Sequence, residues 1–123
     1  MAGGPAAVDR LRAICLGLPE VEERLSHGEP TWFVRGKKVF VMLDDHHHGA
    51  DHLAFHCPAP AGAQAALIEQ DPARFFRPPY VGGRGWIGVC LDRSPDWGEI
   101  EALVEDAYRL VASRRLVALL DAR

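Results

Sequence analysis

The apolar residues near the N-terminus follow a helical period. Those that recur at intervals of three and four residues are Val8, Leu11, Ile14, Cys15 and Leu18. This spacing places them on one face of about three helical turns, and Gly17 and Pro19 end the pattern. The acidic residues that follow, from Glu20 to Glu23, predict a connector that leads to Pro30.

Further along, β-branched and aromatic residues predict strands. Two runs, 31–34 and 39–43, flank the short link Arg35-Gly36-Lys37-Lys38, which is typical of a hairpin. In residues 52–57 apolar and polar positions alternate, which indicates a third strand with one apolar face. Residues 86–91 predict a fourth strand by the same pattern.

The remaining segments predict two further helices and the loops between elements. Residues 61–70 are alanine-rich and end at Asp71-Pro72, which favours a short helix. Asp96 followed by Glu99 forms a capping-box pattern before a strong apolar stripe that runs to Val111. We expect polar loop at 44–51, extended chain at 74–80, a glycine-rich turn at 81–85 and a last helical turn or two at 116–120.

This order of elements predicts an α+β fold. Strands joined by short links pair as antiparallel neighbours, and helices cover one face, so the expected architecture is a two-layer domain with an antiparallel sheet. The 123 residues fit one domain spanning 1–123. An apolar fraction of 48% is enough for an ordinary core and argues against a disordered chain.

Composition excludes several classes of protein. No apolar run is long enough to cross a bilayer, and the N-terminus does not resemble an export signal. Three widely spaced cysteines favour reduced thiols and a cytoplasmic location. Their number and spacing exclude a zinc finger and a disulfide scaffold. The oligomeric state is not predicted by these patterns.

The charge is unevenly distributed around a net value of −3. Residues 31–43 carry three basic residues and no acid, and so do residues 73–91. The basic residues in these two segments are Arg35, Lys37, Lys38, Arg74, Arg77 and Arg84. Two basic islands on an acidic body favour phosphate contacts, although two solvated hairpins would explain the same pattern.

The side chains that carry chemistry do not assemble into an obvious catalytic set. Asp44 to His48, with Asp51, His52 and His56, could bind zinc, nickel or copper. Consecutive histidines on a loop do not converge on one ion without a fixed backbone, so a flexible polar loop is the favoured interpretation and no metal site is assigned. Cys57 beside His56 points to the opposite face of its strand and is not an activated nucleophile. We expect no catalytic residues, no cofactor and no enzymatic activity.

Aromatic residues flank both basic islands. Trp32, Tyr80 and Trp86 could stack on nucleic-acid bases, or line an apolar pocket for a small molecule or anion, or simply pack in the core. Convergence of the three rings around one cavity would favour the pocket.

Several blocks resemble the MmcQ/YjbR-like family. Trp32 to Lys37 followed by Phe40 is similar to its aromatic-Val-Gly-Lys hairpin, and residues 86–91 are similar to its Trp-led strand. The stripe from Ile100 to Val111 resembles its closing helix. The blocks span roughly residues 8–111 in the family's order.

This resemblance implies a frataxin-like arrangement of sheet and helices and a DNA-binding role through a double wing, with no cofactor. It assigns Arg35, Lys37 and Lys38 to the first wing and Arg84 to the second, while Arg77 is added here from its charge. We therefore expect weak, salt-sensitive DNA binding. The alternatives are a small-molecule or anion-binding protein, such as a resistance protein, and a metal-handling module at His46 to His56.

Overall fold

The computed structural model describes residues 4–46 and 51–123, which form a six-stranded antiparallel sheet and four α-helices. In sheet order the strands are β1 (Val21–Ser26), β2 (Glu29–Val34), β3 (Lys38–Asp45), β4 (Leu53–Cys57), β6 (Ile87–Cys90) and β5 (Phe75–Phe76). The helices are α1 (Gly4–Leu16), α2 (Ala63–Gln70), α3 (Trp97–Val111) and α4 (Arg114–Asp121). The predicted α+β class is confirmed.

Two tight hairpins build the first half of the sheet. The turn from β2 to β3 is formed by Arg35 and Gly36, with φ values of 56° and 69°. The turn from β1 to β2 is formed by His27 and Gly28, with φ values of 53° and 81°. Two consecutive residues with positive φ are the signature of type I′ hairpin turns, which suit the twist of a sheet.

The hydrophobic core lies between one face of the sheet and the helices. Val41 and Leu43 of β3 and Phe55 of β4 point into it. Helix α3 packs on β3 and β4, and α1 packs on β1 and α3. The predicted cap of α3 is present, because the Asp96 side chain accepts a hydrogen bond from the backbone N–H of Glu99 at 3.1 Å. The predicted last helix forms as α4, and its Leu116 joins the same core.

The opposite face of the sheet carries the side chains that alternate with the core residues along each strand. Antiparallel partners share a face, so the pairings define a row of side chains across five strands. In order from β2 to β5 this row is Thr31, Met42, His56, Gly88 and Phe76. We call this the helix-free face. The Phe76 ring lies at one side of it, and the surface around His56 is polar.

Three expectations about local structure need correction. The acidic connector at 20–23 lies mostly in the edge strand β1. The loop expected at 44–51 begins later, because β3 continues through Asp45. The turn expected at 81–85 is a 3₁₀ helix, Gly82–Arg84, inside the ten-residue connection between β5 and β6.

No helix in the two described ranges has the length and apolar character needed to cross a membrane.

Candidate functional site

The first basic segment occupies the tip of the β2–β3 hairpin. Lys37 and Lys38 are exposed. The Arg35 guanidinium is also exposed and forms an ion pair with Glu20, with 3.3 Å between Nε and Oε1. The backbone N–H of Arg35 donates to the carbonyl of Glu20 at 2.8 Å. The hairpin tip is therefore fixed to the chain just before β1.

Two further arginines lie beside this hairpin. Arg24 of β1 donates from Nη1 to the carbonyl of Gly36 at 2.9 Å, and its guanidinium lies 3.8 Å from the Phe33 ring centroid. Arg115 of α4 donates to Oε2 of Glu20 at 3.0 Å. Neither arginine could be assigned to this site from the sequence, because each becomes a neighbour of the hairpin only through the pairing of β1 or the docking of α4.

The second basic segment lies in the connection between β5 and β6. Arg77 is exposed, and its side chain lies against Gly82, where an added Cβ would be 2.6 Å from Arg77 Cγ. Arg84 is exposed, with its guanidinium 5.5 Å from the ring centroid of Trp86. Gln64 of α2 holds this connection by donating to the carbonyls of Gly82 and Trp86 at 2.8 and 2.6 Å.

Arg74 has a different environment from the other residues of this segment. Its Nε lies 2.7 Å from Oδ2 of Asp71, and its Nη1 lies 2.9 Å from Oε1 of Glu99. The Arg74 hydrogen bond lowers the pKa of Asp71, and the Arg74 pKa is raised by that same bond. Arg74 thus joins the β5 segment to α3 and is neutralised by two carboxylates.

Strand pairing brings the two basic segments to the same end of the sheet. The β2–β3 turn precedes Lys38, the first residue of β3, and the end of β4 lies at that end because β3 and β4 are antiparallel. Cys57 at the end of β4 pairs with Ile87, and Gly88 pairs with Phe76, so the β5–β6 connection begins and ends there too. We name Arg35, Lys37, Lys38, Arg77 and Arg84 the basic end.

The three candidate aromatic residues have different surroundings. Trp32 is fully buried on the helix side, and its Nε1 donates to Oε1 of Glu23 at 3.0 Å. Trp86 is 4% exposed beneath Arg84, whereas Tyr80 is 85% exposed. Of these three residues, only Tyr80 is in the described lining of a cavity on the helix-free face of the sheet.

A cavity of about 630 Å³ lies on the helix-free face of the sheet. Its described lining comes from the β1–β2 hairpin, from β3 and β4, and from the β5–β6 connection that folds over the face. The lining residues are Ser26, His27, Glu29, Thr31, Met42, Leu43, Asp44, His56, Pro79, Tyr80 and Val81. We name this the face cavity.

An aspartate between two histidines lies at the wall of this cavity. Oδ2 of Asp44 is 3.0 Å from Nε2 of His52 and 2.9 Å from Nε2 of His56. The register explains the contact, because Asp44 pairs with Ala54 and the two histidines are the residues two positions either side of Ala54. The Phe76 ring lies 4.5 Å from the His52 ring and 5.7 Å from the His56 ring, centroid to centroid.

Asp44, His52 and His56 were singled out in the sequence as possible metal ligands. In the described part of the chain, no group of three or more His, Cys, Asp and Glu side chains is arranged to hold a metal ion. His47 and His48 lie outside the described residues.

The cysteine thiols are buried and free. Burial raises the pKa of Cys57 to about 12, and it raises the pKa of Cys15 and Cys90 as well. A thiol that stays protonated at neutral pH is a poor nucleophile, which agrees with the rejection of Cys57 from its strand position.

Comparison with known proteins gives a family match and a solved structure of similar fold. A search of curated proteins found no match. The crystal structure of Deinococcus radiodurans protein DR2400, described with a DUF419 domain, is similar over 93% of this chain and 87% of that one, with a TM-score of 0.73 and 19% identity. At this identity the likeness shows a shared fold. The YjbR family model matches residues 16–110, most of the chain, and the chain therefore belongs to the YjbR family.

Proposed function

We propose that this YjbR-family protein is a non-enzymatic DNA-binding protein that contacts phosphates through the basic end. The observation that supports this most strongly is the strand pairing that brings two separate basic segments to one end of the sheet. One strand, β4, separates β3 from β6, so the two segments are offset by about 10 Å across the sheet. That offset lets both reach the backbone of a single duplex.

The chemistry of the basic end suits phosphate rather than base contacts. Lys37 and Lys38 are exposed at a rigid type I′ turn, and the ion pairs around that turn involve Arg35 and Arg115. Contacts of this kind attract and orient a duplex but distinguish poorly between base sequences. Because the whole chain carries a net charge of −3, binding would be restricted to this end and weak at physiological salt.

The proposal is tested by fluorescence anisotropy with a labelled mixed-sequence duplex. For about four phosphate contacts, the affinity should fall roughly a hundredfold between about 50 and 200 mM salt, because counterions are released on binding. The double variant Lys37→Glu, Arg84→Glu should weaken binding at low salt by about a hundredfold. Both side chains are exposed, so the thermal unfolding midpoint should change little.

A matched control reverses two charges at the other end of the sheet. Arg10 contacts the Trp97 ring at the start of α3, and Arg93 follows β6 and donates to the carbonyl of Asp51. The variant Arg10→Glu, Arg93→Glu has the same net charge as the first double variant. It should keep most of the duplex affinity. Equal losses in both variants, or a wild-type protein that does not bind at low salt, would contradict the proposal.

A further inference from the structure

The face cavity shares the β5–β6 connection with the basic end, but none of the basic-end residues is in its described lining. Its floor is the helix-free face of β2, β3 and β4, and residues 79–81 form its roof. A volume of about 630 Å³ falls within the range of small-molecule sites, about 300–1,000 Å³. Met42, Pro79 and Val81 supply apolar wall, which suits an organic ligand.

Buried polar side chains converge on this cavity. Among the described residues, the buried polar or charged ones are Thr31 at 2% exposure, Asp44 at 4% and His56 at 9%. All three line the face cavity. Burying a polar group costs free energy unless the group is hydrogen-bonded or paired. A sheet face that served only for packing would carry aliphatic residues instead. Their convergence on one cavity is the pattern of a binding site in which a few polar groups orient a mostly apolar ligand.

The histidines hold the Asp44 carboxylate in place. Both imidazole Nε2 atoms lie within hydrogen-bond distance of Oδ2 of Asp44, and these two contacts restrict the rotamer of the Asp44 side chain. The Asp44 carboxyl group is therefore held in one position at the cavity wall.

The charge of the lining indicates the class of ligand. The described lining contains two carboxylates, from Glu29 and Asp44, and no lysine or arginine. Two histidines, His27 and His56, and Tyr80 are its other titratable groups. An anion would meet two negative charges in this cavity, whereas a protonated amine would be paired with them.

Tyr80 gives the cavity an aromatic rim. Its ring is 85% exposed, and its backbone has a φ of 66°, which is unusual for a bulky residue. Such backbone strain persists where the surroundings impose it, often at ligand sites. An aromatic face at the rim can pack on a flat ring and attract a cation.

We infer that the face cavity is a binding site for a small protonated amine with a flat apolar body. The ammonium group pairs with Asp44 and is supported by Glu29, and the apolar body lies between Met42 and the roof at Pro79 to Val81. This site is independent of the DNA-binding proposal and does not use any residue of the basic end.

The inference is tested with three probes that share one ring system and differ in charge. Naphthylmethylamine is a cation at neutral pH, naphthylmethanol is neutral, and naphthoate is an anion. Isothermal titration calorimetry of the full chain should give an affinity for the amine roughly tenfold above that for the alcohol, the value of one good charge-assisted contact. Naphthoate should not bind measurably.

Amide chemical shifts locate the bound probe without any substitution. In a nitrogen-15-labelled sample the amine should shift the signals of Met42, Asp44 and Val81. Signals of Lys37 and Lys38 in the basic end should not move. Shifts confined to another surface would overturn the inference even if the amine binds.

Variants then test the role of charge. Asp44→Asn should remove the preference for the amine over the alcohol, and Glu29→Gln should reduce that preference several-fold. Glu69→Gln, at an exposed position of α2, is the matched control and should change neither affinity. If Asp44→Asn fails to fold, Glu29→Gln and the shift map still decide. Equal affinity for all three probes, or no amine binding, would overturn the inference.

Discussion

The basic end and the face cavity differ in how their charged groups are held. At the basic end, Lys37, Arg77 and Arg84 extend into solvent from turns and a long connection. In the face cavity, Asp44 and His56 are buried, and each is positioned by a cross-strand contact. Charge at the first site can be altered without disturbing the fold, whereas charge at the second site is part of the packing of the sheet.

This difference determines what each region can recognise. Exposed flexible cations attract an extended polyanion from a distance and lose that attraction in salt. A fixed carboxylate in a small cavity selects among compact ligands by shape and hydrogen bonding, with much less sensitivity to salt. The two sites should therefore respond differently to the same substitutions.

The largest stability effect is expected from Gly88→Ala, on the sheet face that bears the cavity. An added Cβ at Gly88 would lie 2.4 Å from Cε2 and Cζ of Phe76, so the ring must move. Overpacking of this kind costs about 1–3 kcal/mol. The displaced ring would also leave its contacts with His52 and His56, so amine binding should weaken, while duplex binding by the folded fraction should persist.

Urea unfolding of Gly88→Ala against the control Gly98→Ala measures this effect. Gly98 lies in the first turn of α3, and an added Cβ would make only an ordinary contact, 3.5 Å from Oδ1 of Asp96. Alanine there should be neutral or stabilise by a few tenths of a kcal/mol up to about 1 kcal/mol. A Gly88→Ala protein as stable as the wild type would mean that Phe76 is not fixed over the sheet.

Much of the fold could be predicted from hydrophobic periodicity, but the edge strand β1 could not. The predicted strands 31–34, 39–43, 52–57 and 86–91 all formed, because each has β-branched or aromatic residues and a buried face. Strand β1 was missed because it is an edge strand with three charged residues, Glu22, Glu23 and Arg24, which are typical of protected edges. The dipeptide His27-Gly28 between β1 and β2 was the available signal, since Gly after a polar residue favours a type I′ turn.

The candidate sites could be predicted only in part. The basic segments follow from local sequence, but their position at one end of the sheet depends on strand order. His52 and His56 were placed on one strand face from alternation alone, yet Asp44 was expected in a loop. Its contact with both histidines depends on the β3–β4 register, which a single sequence does not specify before the strand ends are known.

A smaller loss of stability should distinguish Arg74 from Arg77, the two arginines at the start of the second basic segment. Arg74→Gln removes the ion pairs with Asp71 and Glu99 and should cost roughly 1 kcal/mol of stability. Its duplex affinity should be unchanged. Arg77→Gln, at an exposed position, should leave stability within about 0.5 kcal/mol of the wild type and weaken duplex binding several-fold.

The pH dependence of unfolding checks the origin of the Arg74 effect. The folded-state pKa of Asp71 is lowered by Arg74, so this contribution is present above the unfolded pKa, about 3.9 for an aspartate, and is lost as pH falls. The stability difference between wild type and Arg74→Gln should therefore shrink below about pH 4. A difference that stays constant to lower pH would assign it to packing of the Arg74 stem.

A loss of stability no larger than that of Arg74→Gln is expected from Tyr108→Phe, at the base of the first basic hairpin. The Tyr108 hydroxyl donates to the carbonyl of Pro19 at 2.7 Å, next to Glu20, which binds Arg35. Loss of this bond should cost about 1 kcal/mol and change duplex affinity less than about twofold, because the backbone bonds of the turn remain.

The Tyr108 effect should also have a defined pH dependence. Burial raises the pKa of Tyr108, so its contribution to stability is complete below the unfolded tyrosine pKa of about 10 and is lost as pH rises through the higher folded value. Urea unfolding of wild type and Tyr108→Phe should therefore converge above about pH 10. A loss of duplex binding in Tyr108→Phe as large as that in Lys37→Glu, Arg84→Glu would contradict the distinction between exposed charges at the basic end and packed charges in the face cavity. It would mean that affinity at the basic end depends on rigid support as strongly as the face cavity depends on packing.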